Sequence, residues 1–307
     1  MSDETHSIIL TGLDGSNPLG YLAALGTFRI LSTHLDAKPH LTWIIQGGAW
    51  KPKIILNQAL ADSQLVEILN DQLCRMIDHP AFTFAKNPAV PVMQFTKLAS
   101  DLILQSSIEN DQRGLEFLAA FGSDAITDEK GLIQDTALRT MSGAGHQHFL
   151  KFMNDIAKNT NASQLGEALF GPWAYSDTGP SLRFDPEDDR RYALRWKNPS
   201  SDASTSVRGA NRLAIEGLPM FPTAPKGSLL ETTGFKGHKS NNTYWTWPIW
   251  DAEINLDTIK SLLSLQEITK LKPNATVIKS IGITAIFRSQ RITVGKFRNF
   301  TPAIQVA

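Results

Sequence analysis

The chain has 307 residues, of which 42% are hydrophobic and 20% charged, so it can bury a folded core and is not expected to be disordered. Its single cysteine, Cys74, excludes an internal disulfide and a multi-cysteine zinc site. No run approaches the roughly 20 apolar residues of a membrane-spanning helix, and the first residues lack the pattern of a signal peptide. We therefore expect a cytoplasmic protein without a membrane segment.

The formal net charge of zero conceals an uneven distribution. Residues 1–189 contain 13 Lys+Arg and 23 Asp+Glu, whereas residues 190–307 contain 17 and 7. Such an imbalance indicates either a polyanionic partner for the C-terminal part or two oppositely charged parts that pack together. We divide the chain into an acidic, helix-rich part, 1–170, and a basic, loop- and strand-rich part, 171–307, which could also form one continuous domain.

The N-terminal sequence predicts a strand followed by a helix. Residues 7–11 form a short apolar run, and Asn17 before Pro18 is typical of a helix N-cap followed by its first residue. The helix is thin, because Gly20 and Gly26 lie among its alanines and leucines. Since a glycine costs a helix about 1 kcal/mol relative to alanine, we expect a close neighbour, either a packed sheet, which we favour, or a ligand.

A β-hairpin and several helices are predicted next. Residues 41–45 and 53–56 are strand-like and flank Gly47–Gly48. Cys74 falls within the helix predicted around residues 65–76 and is expected to be a buried, small apolar residue. Apolar residues at helical spacing predict helices around residues 65–76, 98–104, 113–121 and 145–158.

The second half of the sequence has a different character. Residues 170–225 are rich in glycine, proline, arginine and tryptophan, which predicts long structured loops between short strands. Residues 192–196 are expected to form one such strand, and 281–287 and 292–296 a terminal hairpin around a polar turn. The whole pattern predicts a mixed α+β fold with short antiparallel hairpins in its helix-rich N-terminal part and a loop-rich, β-type C-terminal part.

Common catalytic motifs are missing from the sequence. It contains no GxxxxGK[ST], GxGxxG, HExxH or G-x-S-x-G. We therefore do not expect an ATPase, a dinucleotide-binding dehydrogenase, a zinc protease or an α/β-hydrolase. Neither a cofactor nor a resident metal is expected.

The Ser-Gly-Ala-Gly sequence at 142–145 is a candidate anion-binding turn. If it opens into a helix, its backbone N–H groups point outward toward an anion, with Ser142, Gly143, Gly145 and His146 as the contacting residues. His146 and His148 are two residues apart, which is a poor spacing for a shared metal on a helix. The alternative is a loop whose glycines serve only the turn.

An acidic run follows at residues 185–189. Asp185, Asp188 and Asp189 could bind divalent cations and support metal-dependent nuclease chemistry. Arginines lie in the same segment, however, and arginine–carboxylate pairs need no metal. We favour a structural network of ion pairs between these carboxylates and their neighbours Arg183, Arg190 and Arg191.

Basic residues of the C-terminal part are candidates for nucleic-acid contact. Arg208 and Arg212 are four residues apart, which on a helix suits two phosphates or two carboxylates equally well. The aromatic run 244–250 follows basic residues, as in a base-stacking platform, although core packing is the favoured interpretation of most of its rings. The predicted contacts are Arg190, Arg191, Arg195, Arg208, Arg212, Lys236, Lys239, Arg288, Arg291, Lys296 and Arg298.

Several segments together resemble a known family. They are residues 12–26 (GLDGSNPLGYLAALG), 141–148 (MSGAGHQH), 170–173 (FGPW), 185–194 (DPEDDRRYAL) and 207–214 (VRGANRLA). They are similar to small proteins encoded in type I-G (formerly type I-U) CRISPR loci, described as an extension of the helicase-nuclease or as a compact large-subunit-like component. The similarity spans about residues 8–250 in order and leaves out the last 50 residues.

The resemblance implies a system rather than a reaction. It assigns no catalytic residue to any position of this sequence. In type I effectors, base pairing with a guide RNA reads the target sequence, and proteins read duplex shape and a flanking motif. The expected partners are the other effector subunits, the helicase-nuclease, and guide RNA or target DNA. Either a non-catalytic nucleic-acid-binding subunit or an adaptor that contacts only proteins is consistent with it.

Overall fold

A computed structural model describes residues 6–35, 38–141, 146–188, 205–237, 242–294 and 297–307. Helices alternate with small antiparallel sheets, which confirms the predicted mixed α+β class. Within these residues, no helix is both long enough and apolar enough to cross a membrane. The helices are α1 (Pro18–His34), α2 (Asp62–Cys74), α3 (Pro80–Thr83), α4 (Val92–Glu109), α5 (Arg113–Phe121), α6 (Phe149–Asn159), α7 (Ala162–Phe170), α8 (Arg208–Gly217), α9 (Leu256–Leu263) and α10 (Ala275–Ser280).

The strands belong mainly to two sheets. In the N-terminal sheet the order is β1–β3–β2, and in the C-terminal sheet it is β10–β11–β12–β13, with β14 also paired to β12. The strands are β1 (His6–Ile9), β2 (His40–Gln46), β3 (Ala49–Leu56), β4 (Gly122–Thr127), β5 (Ile133–Asp135), β6 (Asp177–Thr178), β7 (Thr205–Ser206), β8 (Thr223–Lys226), β9 (Leu229–Thr232), β10 (Phe235–Lys236), β11 (Thr243–Trp250), β12 (Ile283–Val294), β13 (Phe297–Phe300) and β14 (Ile304–Gln305).

Helix α1 is the central element of the core. It begins at the predicted residue, because the Asn17 side chain accepts hydrogen bonds from the backbone N–H groups of Leu19 and Gly20. A methyl group on Gly26 would lie 1.9 Å from the carbonyl oxygen of Leu213 in α8. The predicted close neighbour is therefore present, but at this position it is a helix backbone and not a sheet.

The N-terminal hairpin forms as predicted. Strands β2 and β3 pair from His40 with Ile55 to Gln46 with Ala49. Gly47 and Gly48 connect them with φ angles of 61° and 78°, which is the backbone conformation of a two-residue hairpin turn and favours glycine.

The predicted C-terminal hairpin is wrong in register. Strand β12 runs without interruption from Ile283 to Val294, so the polar residues 288–291 are inside a strand and not in a turn. Their ladder partners lie in β11, where Thr246 pairs with Arg288 and Thr243 with Arg291. Arg288 and Gln290 point away from the core, whereas Ser289 and Arg291 are buried on the core side and hydrogen-bonded to backbone carbonyls.

One hydrophobic core includes residues from both predicted parts of the chain. Trp245 and Trp247 of β11 are completely buried, and the Trp247 ring lies 5.6 Å from that of Tyr21 in α1. The Trp247 indole N–H donates to the carbonyl oxygen of Gly15 at 2.8 Å. Core packing is thus confirmed as the role of these two tryptophans.

Three further expectations differ from the structure. Cys74 is exposed, because α2 buries Leu65, Leu69 and Leu73 at a spacing of four and the next residue turns toward solvent. The region 170–225, predicted to be loops and short strands, contains the buried helix α8. Helix α6 also begins at Phe149, four residues later than expected.

Candidate nucleic-acid interface

The outer face of the C-terminal sheet brings two of the predicted contacts together. Opposite the buried tryptophans, the ladder pairs Lys236 with Tyr244, and Thr246 with Arg288. Arg288 is also paired with Ile304 of β14. Because directly paired residues share a face of the sheet, these five side chains lie on one surface.

A cleft of about 540 Å³ opens on this outer face. Tyr244 and Arg288 line it, and Leu271, from the segment before α10, and Ile304 border it. Leu271 is 82% exposed and Ile304 64% exposed. The cleft therefore combines an aromatic ring, a guanidinium group and apolar side chains that contact water.

Arg288 is held rigidly in this cleft. Its Nε donates to Thr246 Oγ1 and one terminal nitrogen donates to the Leu271 carbonyl oxygen, both at 3.0 Å, while the other donates to the carbonyl oxygen of Lys270. Burial lowers the pKa of Arg288, and the Tyr244 side chain acts in the opposite direction. An arginine nevertheless stays protonated at physiological pH, so the cleft contains a fixed positive charge.

Lys236 lines this cleft, and Lys270 and Lys272 flank its lining residue Leu271 in the sequence. The Lys236 side chain is 44% exposed, with its ammonium nitrogen 3.8 Å from Glu231. Lys270 pairs with Glu267, and Lys272 is exposed on the same segment. These lysines are accessible to a phosphate, whereas the terminal nitrogens of Arg288 are bonded to backbone carbonyls. Lys236 therefore fits the predicted phosphate contact, and Arg288 does not.

Arg212 is wrongly predicted as a nucleic-acid contact. Its side chain is 1% exposed, and it donates to Glu216 and to the carbonyl oxygen of Leu73, each at 3.0 Å. Burial lowers the pKa of Arg212, and the Glu216 carboxylate acts in the opposite direction. The guanidinium group therefore keeps its positive charge. The second alternative, pairing with a carboxylate, is correct for this residue, although the carboxylate lies one turn away on α8 and not in the acidic run.

The buried carboxylate of Glu216 binds a second arginine. Arg29 of α1, also 1% exposed, donates to Glu216 at 3.0 Å and to Glu116 of α5. Lys260 reaches Glu116 at 3.2 Å. Burial raises the pKa of Glu116, but Arg29 and Lys260 outweigh it, so that its pKa lies below the ordinary value. This charged network joins α1, α5, α8 and α9 inside the protein.

The other predicted basic contacts have different surroundings. Arg291 is 8% exposed and donates to the carbonyl oxygen of Ala137, so burial contradicts its prediction as a phosphate contact. Arg208 is partly buried and bonds the carbonyl oxygens of Asn159 and Thr178, and Arg298 is partly buried on β13. Arg190, Arg191, Arg195, Lys239 and Lys296 lie outside the described residues.

The candidate anion-binding turn is described only at its end. Ser142, Gly143 and Gly145 lie outside the described residues, and His146 is exposed. The next helix begins three residues later, after His148, whose side chain makes no capping hydrogen bond. His146 is therefore not at the helix N-terminus, where backbone N–H groups would favour an anion.

Asp185 is buried and bonded to neutral donors. It is 2% exposed and accepts from the Asn17 amide at 3.0 Å and the Tyr175 hydroxyl at 2.9 Å. The expected pairing with arginine is absent from the described residues around it. Asp188 closes a short 3-10 turn, and Asp189 lies outside the described residues. No group of three or more potential metal ligands occurs in the described parts of the chain.

A second, larger cavity of about 680 Å³ lies between α4, α5 and the end of α1. Arg113, at its edge, is bonded to Asp111 at 2.9 Å. Burial lowers the pKa of both His34 and His79, and His79 Nδ1 accepts the Ala81 backbone N–H as the cap of α3. Two arginines and three carboxylates line it, and it contains none of the residues predicted as sites.

Sequence reasoning missed most of the outer-face cleft. Strand alternation could have found Tyr244 and Thr246, since they must face away from Trp245 and Trp247. Leu271 offered no signal, because a single apolar residue between two lysines is common on surfaces.

Comparison of the chain with models of known protein families and with curated protein sequences gives no match to either.

Proposed function

We propose that this protein is a non-catalytic subunit of a type I CRISPR effector, and that it assists nucleic-acid binding through the outer face of its C-terminal sheet. The observation that carries the nucleic-acid part is the convergence of Lys236, Tyr244 and Arg288 on one open cleft. A cation that can reach phosphate beside an aromatic ring is the combination with which proteins bind single strands. The assignment to a type I CRISPR effector rests on the sequence resemblance.

The surroundings of Asp185 support a non-catalytic role. The two carboxylate oxygens of Asp185 already accept hydrogen bonds from Asn17, Tyr175 and the Glu187 backbone, which makes Asp185 a poor metal ligand. A two-metal nuclease needs converging carboxylates with open positions for water and phosphate. The nuclease alternative therefore has less support than a binding role.

A second candidate function is an adaptor that contacts only proteins. The C-terminal half of α4 exposes three large apolar side chains, Ile103 at 53%, Leu104 at 67% and Ile108 at 85%. Apolar groups clustered on a surface are typical of protein contacts. Such a contact would serve recruitment of the helicase-nuclease and is compatible with nucleic-acid binding on the sheet.

Two measurements on the 307-residue chain separate these functions. The chain is first mixed with the subunits of a type I effector and tested for co-elution, and then titrated alone with labelled oligonucleotides at low and high salt. We expect co-elution together with salt-dependent oligonucleotide binding. Co-elution without oligonucleotide binding, by the chain or by its complex, would establish the adaptor. Absence of co-elution would contradict the effector assignment.

A further inference from the structure

We infer that the cleft between Tyr244 and Arg288 takes one unpaired nucleobase, stacked on the tyrosine ring and on the face of the guanidinium group. This inference rests on the proposed function and specifies its ligand as a single strand. It concerns the base and not the sugar, so DNA and RNA are both candidates and the test distinguishes them.

Arg288 is only 8% exposed but lines the cleft, and its hydrogen bonds occupy the edge of the guanidinium group rather than its face. Nε and both terminal nitrogens donate within the guanidinium plane, to Thr246 and to the carbonyl oxygens of Lys270 and Leu271. Phosphate binding by arginine uses those same in-plane donors. Stacking uses the face, which planar aromatic partners favour. The bonds also fix the group in advance, so that little side-chain freedom is lost when a ligand binds.

Tyr244 lies close enough to share a ligand with Arg288. Tyr244 is paired with Gln290, two residues from Arg288 on the same strand face, and is therefore its diagonal neighbour. Such neighbours are about 7–8 Å apart between strands, within reach of aromatic and long side chains. The effect of Tyr244 on the Arg288 guanidinium is consistent with this proximity.

The walls of the cleft suit a flat apolar surface. Leu271 and Ile304 are largely exposed although apolar, and a base that covers them removes this surface from water. The cleft volume of about 540 Å³ lies within the range of roughly 300–1,000 Å³ for small-molecule sites. Asn242 also lines the cleft, and an amide side chain can pair with a base edge.

The ligand must be an unpaired base. Within a duplex each base is covered by its neighbours, so neither face can reach a ring and a guanidinium group. In a single strand the base can turn out, and its 5′ or 3′ phosphate then comes near Lys236 at the edge of the cleft. Stacking of this kind is tolerant of sequence, because every base has a π-face.

The test uses the folded 307-residue chain and four labelled oligonucleotides of equal length: single-stranded DNA, single-stranded RNA, an abasic DNA strand and a DNA duplex. Fluorescence anisotropy gives Kd for each. We expect the base-containing single strands to bind more tightly than the abasic strand and the duplex. The ratio of the RNA and DNA values identifies which strand the cleft prefers.

Variants assign the effect to the cleft. Tyr244→Ala should weaken single-strand binding by about 5- to 150-fold, the loss of one stacked base, and Tyr244→Phe should retain the parent affinity. Leu271→Ser, at a largely exposed position, should also weaken single-strand binding. It replaces Tyr244→Ala in the test if Tyr244→Ala does not fold. Equal affinity for abasic and base-containing strands, or loss in Tyr244→Phe as large as in Tyr244→Ala, would overturn the inference. Absence of binding to every oligonucleotide would instead overturn the proposed function.

Discussion

Positively charged side chains occupy two contrasting environments in this protein. At the contact between α1 and α8, Arg29 and Arg212 are each 1% exposed and share the buried carboxylate of Glu216. On the outer face of the C-terminal sheet, Lys236 is 44% exposed, and its ammonium nitrogen is 3.8 Å from the Glu231 carboxylate. The two environments differ in the donors that remain available. Arg29 and Arg212 donate to buried acceptors within the protein, whereas Lys236 can still bind an anion.

This contrast limits what a basic segment reveals about function. Arg212 and Lys236 both belong to the basic C-terminal part, and counting charges cannot separate them. Burial separates them, because a charge removed from water requires a fixed partner. A phosphate can then bind only where the partner is weak or absent. Four predictions, from the largest expected effect to the smallest, test this division.

The largest effect is expected from Glu216→Ala. The substitution leaves Arg212 without its carboxylate and Arg29 with only Glu116, and breaking a buried ion pair costs about 3–5 kcal/mol. The free energy of unfolding in urea measures it. Asp71→Ala is the matched control, since Asp71 and Arg75 form another i,i+4 pair but are 69% and 58% exposed, and its cost should stay below about 1 kcal/mol. Equal costs for the two would show that burial is not decisive.

The second effect concerns the contact that encloses this network. In Gly26→Ala the new methyl group would meet the Leu213 carbonyl oxygen at 1.9 Å, and over-packing costs about 1–3 kcal/mol, occasionally more. Gly166→Ala in α7 is the control, because its methyl group would meet only Val66, at 3.9 Å. That variant should gain about 0.4–1 kcal/mol. Thermal unfolding of both variants tests whether the helices touch as described.

Asp185→Ala extends the comparison to a buried carboxylate with neutral partners. The Asn17 amide and Tyr175 hydroxyl lose their shared acceptor, at a cost of about 1–3 kcal/mol. Because no metal is expected to bind Asp185, magnesium should leave the melting temperature of the parent unchanged. Stabilisation of the parent by magnesium, lost in Asp185→Ala, would revive the nuclease alternative.

Local features of the sequence predicted local structure well. The Asn17–Pro18 helix start and the Gly47–Gly48 hairpin depend only on neighbouring residues, and both are present. The terminal hairpin was misplaced because the polar residues 288–291 resemble a turn when their strand partners are unknown. Only the register of β11 and β12 shows that they are paired.

The candidate site depended even more on tertiary structure. Lys236, Arg288 and Leu271 come from three segments that meet only in the folded sheet, so no spacing in the sequence could have joined them. The pairing of buried Arg212 with Glu216 had a partial signal in the sequence, since Glu216 follows Arg212 by one helical turn. The participation of Arg29 in that pair had none, because it requires the packing of α1 on α8.

The most direct test of the central claim is the salt dependence of single-strand binding in Lys236→Gln and Lys158→Gln. Both lysine side chains are 44% exposed and lie near a carboxylate, but Lys158 is in α6, away from the sheet face. We predict that Lys236→Gln lowers the slope of log Kd against log salt concentration by about 0.7, one phosphate contact to a single strand, and that Lys158→Gln leaves it unchanged. The same slope in the parent and in both variants, or a change in Lys158→Gln alone, would contradict the account.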